Sequence, residues 1–306
     1  MDLTMLGSDR VFSTADALRG GIDPNTLRAL LRTGAATRLR RGWFTASTPT
    51  STEDHHLLRT IAALRSHGPR VAASHHSAVI AHGLPIVDTD LALVRLVAGP
   101  GATRRRSAGV HIDPASRQAV LVTRGGLFDS PLRLARAEDS VVQCGCLHGA
   151  RAAIAAADAA LRLRRCTRAQ LDASIAAHVG FKGIGPVRHA LQVADGRHES
   201  PGESLLALLL HQQGISVVPQ VVVTTGGHAF RADFMVEGHP VIVEFDGMVK
   251  YGSGDDLAKE KWREDLLREA GYEVVRVIWS DLSRPAAVAA RVRAALARAT
   301  ARQPAS

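Results

Sequence analysis

Two carboxylates that should face each other across a β-hairpin constrain this chain more than any other feature. Residues 229–236 and 240–246 are rich in β-branched and aromatic side chains, and a Glu-Gly-His turn separates them. A hairpin that closes symmetrically about this turn places Asp233 opposite Glu244. Directly opposed like charges destabilise a strand pair by about 0.2–1 kcal/mol. The pair therefore requires a physical explanation.

A divalent cation between the two carboxylates is the simplest explanation. Hard cations such as Mg²⁺, and by extension Mn²⁺, take oxygen ligands and are usually held by one or two carboxylates with phosphate and water. Asp246, two residues beyond Glu244, lies on the same strand face and adds a third acid. The predicted metal ligands are therefore Asp233, Glu244 and Asp246. The same register places Met235 opposite Ile242.

Lysines are rare in this chain and gather next to these acids. Only four of its 38 cationic residues are lysine, and three of them, Lys250, Lys259 and Lys261, follow the hairpin within twelve positions. Lysine carries a compact ammonium whose pKa responds to its surroundings, whereas arginine stays charged. Lys250 and Lys261 are candidates to stabilise negative charge at the site. Phosphate contact or a solvated charge is the alternative for each.

The elements around the hairpin are predicted in the order α-β-β-β-α-β-α. A capping box at residues 200–203 opens the first helix, and a strand at 216–224 precedes the hairpin. A helix at 257–270 follows it, and then a strand and a final helix. Glu203, the acid of the capping box, is both a structural residue and a candidate catalytic acid.

This last third of the chain resembles the PD-(D/E)XK restriction-endonuclease-like superfamily. The likeness depends on Glu203 on the first helix, Asp233 on the second strand and Glu244 on the third. It is closer to Vsr-like domains, because E-x-D-G occurs at residues 244–247 and R-x-D-x-L-R-x-x-G at residues 263–271. The resemblance implies a Mg²⁺-dependent DNA endonuclease in which these three acids are catalytic.

The chain departs from the family pattern at one catalytic position. Asp246 stands where the family has its catalytic lysine. If the site is active, Lys250 or Lys261 would supply the positive charge from a different backbone position, as migrated lysines do in some members of the superfamily.

The first fifty residues predict a winged helix-turn-helix. Short helices at residues 14–19 and 25–33 are followed by a hairpin of residues 36–39 and 43–46. No acidic residue occurs between Asp23 and Glu53, and five arginines occupy the interval: Arg28, Arg32, Arg38, Arg40 and Arg41. One-sided positive charge on this plan favours binding to double-stranded DNA, with the second helix in the major groove. A small helical cap with solvated arginines is the alternative.

These residues also resemble the N-terminal domain of AbiEi-like antitoxins of bacterial abortive-infection systems. The likeness rests on the S-T-A-D-A-L opening at residues 13–18 and the R-L-R-R-G-W-F wing at residues 38–44. It implies a DNA-binding regulator. The sequence does not distinguish a toxin partner from a homodimer.

Length and composition predict an α+β, multidomain protein of the cytoplasm. We expect a winged helix at residues 1–50, a mixed α/β middle region of unassigned role at 51–198 and a restriction-endonuclease-like domain at 199–306. No apolar run is long enough for a membrane span, no secretory signal is evident, and three cysteines give no disulfide framework. The formal charge of +9 favours a polyanionic partner.

Two functions remain open from the sequence. The first is a DNA-binding protein of bacterial defence whose C-terminal domain is a Mg²⁺- or Mn²⁺-dependent DNA endonuclease. The second is a non-enzymatic regulator or antitoxin of AbiEi type with a degenerate nuclease fold. Asp246 at the lysine position favours the second, whereas Asp233, Glu244 and the lysines favour the first. A nuclease acting on RNA is a third, weaker alternative.

Overall fold

The structure, a computed structural model, describes most of the chain: residues 6–99, 101–114, 121–124, 131–247 and 254–302. For residues 121–124 and 254–260 it describes the backbone alone. Contacts divide the chain into two compact units; the first comprises residues 1–153 and 165–187, and the second comprises residues 154–164 and 188–306. In the described ranges, no helix is both long and apolar enough to cross a membrane.

The first unit begins with a winged helix-turn-helix, as predicted. Its elements are β1 (Phe12–Ser13), α1 (Thr14–Arg19), α2 (Pro24–Thr33), β2 (Thr37–Arg40) and β3 (Trp43–Thr45), and the strands pair in the order β1-β3-β2. Ser13 and Asp16 form a capping box that starts α1. The Asp23 side chain accepts the first free N–H groups of α2, which has proline at its first position.

A six-stranded mixed sheet and several helices follow the wing along the chain. The strands are β4 (Val71–Ala73), β5 (Val94–Ala98), β6 (Arg105–Ser107), β7 (Val110–Pro114), β8 (Leu121–Arg124) and β9 (Leu132–Ala135), in the spatial order β6-β7-β5-β4-β9-β8. The helices are α3 (Thr52–His67), α4 (His75–Ala81), α5 (Ala137–His148), α6 (Ala150–Arg162), α7 (Arg168–Ala177) and α8 (Ile184–Ala190). Short 3-10 helices occupy Gly68–Arg70 and Leu191–Val193.

The wing and the six-stranded sheet share buried residues. Val11, just before β1, and Leu39 of β2 belong to the same buried cluster as Leu58 and Ile61 of α3. A separate small cluster lies inside the winged helix and contains Phe12, Ala17, Ile22, Leu27, Ala36 and Phe44. The domain boundaries expected after residues 50 and 198 stay predictions.

The second unit has the predicted order α-β-β-β-α-β-α. Its elements are α9 (Pro201–Gln212), β10 (Val217–Thr225), β11 (His228–Val236), β12 (Val241–Asp246), α10 (Gly254–Glu269), β13 (Glu273–Ile278) and α11 (Pro285–Arg302), with a 3-10 helix at Trp279–Ser283. The sheet order is β10-β11-β12-β13. The first two pairings are antiparallel and the last is parallel. The α+β, multidomain fold class is therefore confirmed.

A close approach at Gly202 sets the position of α9 against the sheet. A Cβ atom added to Gly202 would lie 1.9 Å from a ring carbon of Phe245 on β12. Real Cβ atoms are not found at that distance from another heavy atom, so any other residue would require the Phe245 ring or α9 to move. Because Glu203 is the next residue, this contact also fixes where its carboxylate lies.

A buried hydrogen-bonded pair within the second unit joins Asp158 of α6 to His198. The Asp158 carboxylate accepts a hydrogen bond of 2.6 Å from Nδ1 of His198 and another of 2.8 Å from the backbone N–H of Asp195. Both paired side chains are almost completely buried. Burial raises the pKa of Asp158, and the bond from His198 opposes that rise.

Replacing Asp158 with alanine should destabilise the full chain by about 3–5 kcal/mol, because the change leaves a buried partner unpaired. Chemical denaturation of the full chain measures the loss. Asp172→Ala is the control, since Asp172 forms an exposed i,i+4 pair with Arg168 worth less than about 0.5 kcal/mol. If Asp158→Ala and Asp172→Ala lose the same free energy of unfolding, the pair between Asp158 and His198 stabilises the fold no more than an exposed pair does.

Candidate functional site

The predicted hairpin register is confirmed in the second unit. Met235 pairs with Ile242, and Phe234 pairs with Val243 one step further along β11 and β12. The described ladder ends there, so Asp233 and Glu244 lie just beyond its last pair. At this point the Asp233 carboxylate accepts a 2.8 Å hydrogen bond from the backbone N–H of Phe245. The Asp233 carboxylate thus takes the place of a backbone carbonyl as hydrogen-bond acceptor, at the point where the pairing of β11 with β12 ends.

Three of the predicted acids gather at this divergence. Glu203 and Glu244 are 6% and 9% exposed. Asp233 is half-buried, and its pKa is raised to about 6, chiefly by burial and also by the negative charges of Glu203 and Glu244. The Phe245 N–H opposes the rise. A carboxyl whose pKa is raised by burial and by neighbouring acids is a common feature of functional sites.

Glu203 is held at the start of α9 by donors from two other segments. Its Oε2 accepts 2.9 Å hydrogen bonds from the backbone N–H of Glu199 and from Nε2 of Gln220. Ser200 caps the helix by accepting the backbone N–H of Glu203. Half of the predicted capping box is therefore present, and the reciprocal bond goes to residue 199 instead of residue 200. Glu203 is tied to β10 as well as to its own helix.

An arginine binds Glu244 where the sequence predicts a metal ion. Both terminal nitrogens of Arg263 on α10 reach the Glu244 carboxylate, one of them at 3.2 Å, in a two-pronged ion pair. The Arg263 guanidinium also lies 5.9 Å from the ring centroid of Phe230 and 3.4 Å from the carbonyl oxygen of Arg231. Sequence reasoning placed Arg263 in a motif and missed this role. The excess of arginine over lysine in this chain was the sequence feature that could have indicated an arginine at this site.

The remaining predicted site residues are placed differently. Asp246 is exposed at the end of β12, where it pairs with Ile278 of β13. Lys261 is exposed on α10, and Lys250 lies outside the described residues. Within the described ranges, no three His, Cys, Asp or Glu side chains are grouped so as to hold a metal ion. The ligand set of Asp233, Glu244 and Asp246 therefore stays a prediction.

The arginines of the winged helix form a second candidate site. Arg28, Arg32, Arg38 and Arg41 are exposed, and none of them forms an ion pair with a carboxylate in the part of the chain that the structure describes. Arg40 differs from these four. It is half-buried, lies 3.4 Å from Nδ1 of His67 on α3, and has its pKa lowered by burial.

The fold is α+β and multidomain, with a winged helix-turn-helix near the start of the chain and the order α-β-β-β-α-β-α in the second unit. No known family model matches the chain. The AbiEi-like and Vsr-like resemblances stay hypotheses.

Comparisons with known proteins give partial matches. Two uncharacterised proteins of Mycobacterium tuberculosis, from strains CDC 1551 / Oshkosh and ATCC 25618 / H37Rv, are each 32% identical over 151 residues. The match covers 48% of this chain and 55% of each relative, so the chain spans about half the length of the curated relatives it matches. The solved catalytic domain of homing endonuclease I-Bth0305I matches 32% of this chain and 95% of its own length, at 17% identity and a TM-score of 0.27. At that TM-score the likeness supports no inference.

The raised pKa of Asp233 gives a pH dependence of stability with a definite sign. The folded state keeps the Asp233 proton up to about pH 6, whereas the unfolded state loses it near 3.8. Over that window the folded state binds more protons, so the free energy of unfolding falls as pH rises. The shift corresponds to about 3 kcal/mol, which solvent screening of this half-buried group reduces to about 1–2 kcal/mol.

Asp233→Asn should therefore match wild type near pH 4 and exceed its stability by about 1–2 kcal/mol above pH 7. Denaturant unfolding across this pH range, without divalent cations, makes the comparison. Asp265→Asn removes an exposed carboxylate of α10 and controls for net charge. If the stability difference between Asp233→Asn and wild type does not change with pH, the pKa of Asp233 is not raised in the folded state.

Proposed function

We propose that this protein binds duplex DNA through its winged helix and cleaves a phosphodiester bond with a metal-dependent site in its second unit, as part of bacterial defence. The acid cluster of Glu203, Asp233 and Glu244 carries the proposal. Helix α9 and strands β11 and β12 each contribute one carboxylate, and two of the three are almost fully buried. Burying like charges together is costly unless a cation or a reaction makes use of them.

Asp233 and Glu244 are the residues that would hold a divalent cation. Their oxygens are the donors that Mg²⁺ and Mn²⁺ take, and with a pKa of about 6 Asp233 is mostly ionised at pH 7 and available as a ligand. When bound, such a cation would supply Lewis-acid activation of water and neutralise phosphate charge. Glu244 would then have to share its oxygens with Arg263 or release it.

Arg263 would bind a phosphate at this site, although Asp246 occupies the position where the family has its catalytic lysine. A guanidinium carries several N–H donors and matches a phosphate as well as it matches a carboxylate. If a phosphate enters, Arg263 can move its donors from Glu244 to the phosphate oxygens. Lys261, exposed on the same helix, would add positive charge, and Lys250 stays a further candidate.

The same ion pair supports a second candidate function. Arg263 already neutralises Glu244, and Asp246 occupies the family's lysine position. On this view the unit keeps a nuclease fold, the arginine replaces the metal, and the protein is a regulator or antitoxin of AbiEi type. The two functions differ in whether a cation can compete with Arg263 for Glu244.

The decisive test measures metal binding and cleavage on the same set of proteins. If the site is active, Mg²⁺ or Mn²⁺ should raise the melting temperature of wild type by mass action and support nicking of supercoiled plasmid, and EDTA should abolish both. Glu203→Gln, Asp233→Asn and Glu244→Gln should lose cleavage. Asp233→Asn and Glu244→Gln should also lose most of the metal shift. Glu237→Gln, at the exposed hairpin turn, is the matched control.

Arg263→Gln separates the two candidate functions. The change leaves Glu244 buried without its guanidinium, so the variant should be less stable without metal. In a nuclease, Mg²⁺ should restore that stability, because the cation takes the vacated carboxylate. Destabilisation that neither cation relieves, together with no cleavage by wild type, would favour the regulator and reject the metal site.

The winged helix is tested by the salt dependence of duplex binding. Replacing both Arg38 and Arg41 with glutamine should reduce the slope of log K against log salt by about 0.9 for each DNA phosphate that the protein no longer neutralises. Arg40 is unsuitable for this test because it is half-buried beside α3. Arg19→Gln is the control, since Arg19 is already paired with Asp16. An unchanged slope in the double variant would remove the wing from the DNA interface.

A further inference from the structure

The winged helix contains a pocket that duplex binding does not explain. It has a volume of about 380 Å³ and lies between α1, α2 and the wing. Its apolar walls are formed by Leu18, Ile22, Leu27, Leu31 and Phe44. Pockets that hold small ligands span roughly 300–1,000 Å³ and are mostly apolar with a few polar groups. This pocket falls within that range.

The lining leaves apolar surface open to solvent. Leu18 is 53% exposed although it belongs to a helix whose Ala17 is completely buried. An exposed leucine beside a concave apolar wall offers an apolar ligand a surface to cover. An occupant with an apolar body would cover Leu18 and contact Phe44 beneath it.

The charged residues that line the pocket are all arginines. Arg28, Arg38 and Arg41 all line it, and none of the three pairs with a carboxylate in the described ranges. Arg28 donates a 2.6 Å hydrogen bond to the side-chain oxygen of Asn25, and Arg38 lies 5.7 Å from the Phe44 ring centroid. Both contacts leave further guanidinium N–H groups available. An occupant should therefore carry a negative charge.

We propose that this pocket binds a small organic anion with an aromatic or branched apolar body and one carboxylate, sulfonate or phosphate group. The apolar body fills the space beside Leu18 and Phe44, and the anionic group accepts hydrogen bonds from Arg28 and Arg41. These arginines are also proposed DNA contacts, so the anion and the duplex compete. That competition, unlike the binding itself, rests on the proposed DNA-binding function.

Two naphthalene dyes test the pocket on the full chain. 1-Anilinonaphthalene-8-sulfonate carries the anionic group, and N-phenyl-1-naphthylamine has the same rings without it. Arg28→Gln combined with Arg41→Gln should weaken the sulfonate by about tenfold or more and leave the neutral dye unchanged. Leu18→Ser should weaken both dyes. Arg32→Gln, on the same helix but outside the lining, should change neither.

Each result of the dye experiment either supports the proposed anion pocket or overturns it. Equal affinity of the sulfonate for wild type and for the double arginine variant overturns the proposal, as does equal weakening of both dyes. Far-UV circular dichroism and melting curves verify that each variant is folded. A duplex that displaces the sulfonate supports the competition. Sulfonate binding of the expected pattern, with no duplex binding at any salt concentration, keeps the pocket and rejects the DNA-binding function.

Discussion

Buried negative charge is the constraint on which the second unit depends. Asp158, Glu203 and Glu244 are each at least nine-tenths excluded from solvent. A buried carboxylate without a partner costs several kcal/mol, so each must be matched by a donor. The donors are a histidine for the first, a backbone N–H and an amide for the second and an arginine for the third. These pairings join α6 to the segment that precedes α9, α9 to β10, and α10 to β12.

Asp233 is different because its surroundings favour the protonated form. One backbone N–H reaches it, yet burial and two neighbouring acids raise its pKa to about 6. The cluster therefore contains one carboxyl group that exchanges a proton near neutrality beside another that is held by Arg263. Whether an incoming cation or phosphate outcompetes that arginine is a question of relative affinity. The fold itself is compatible with either function.

Local sequence patterns were sufficient to predict the strands and helices of the site. They did not predict its long-range contacts. The turn after Val236 and the alternation of β11 and β12 fixed the pairing of Met235 with Ile242. Arg263 on Glu244 joins residues 19 positions apart, and His198 on Asp158 joins residues 40 positions apart. Neither contact follows from periodicity or spacing, because both require the helices to be packed first.

Tertiary packing decides two further features of the first unit. Residues 132–135 form β9, in which buried Leu132 and Leu134 alternate with Arg133 in the two-residue period of a strand. In the wing, packing of β2 on α3 half-buries Arg40 beside His67, whereas Arg38 and Arg41 are exposed. In both cases composition alone does not give the burial of these side chains, which depends on how the elements pack.

The division of the chain into two units has a consequence for its covalent integrity. The backbone passes from one unit to the other three times, after residues 153, 164 and 187. A single peptide-bond cleavage at any of these points would leave at least one fragment with residues that belong to both units. A nick there would therefore not release the second unit as a free domain. The two fragments would separate only when one of the units unfolds.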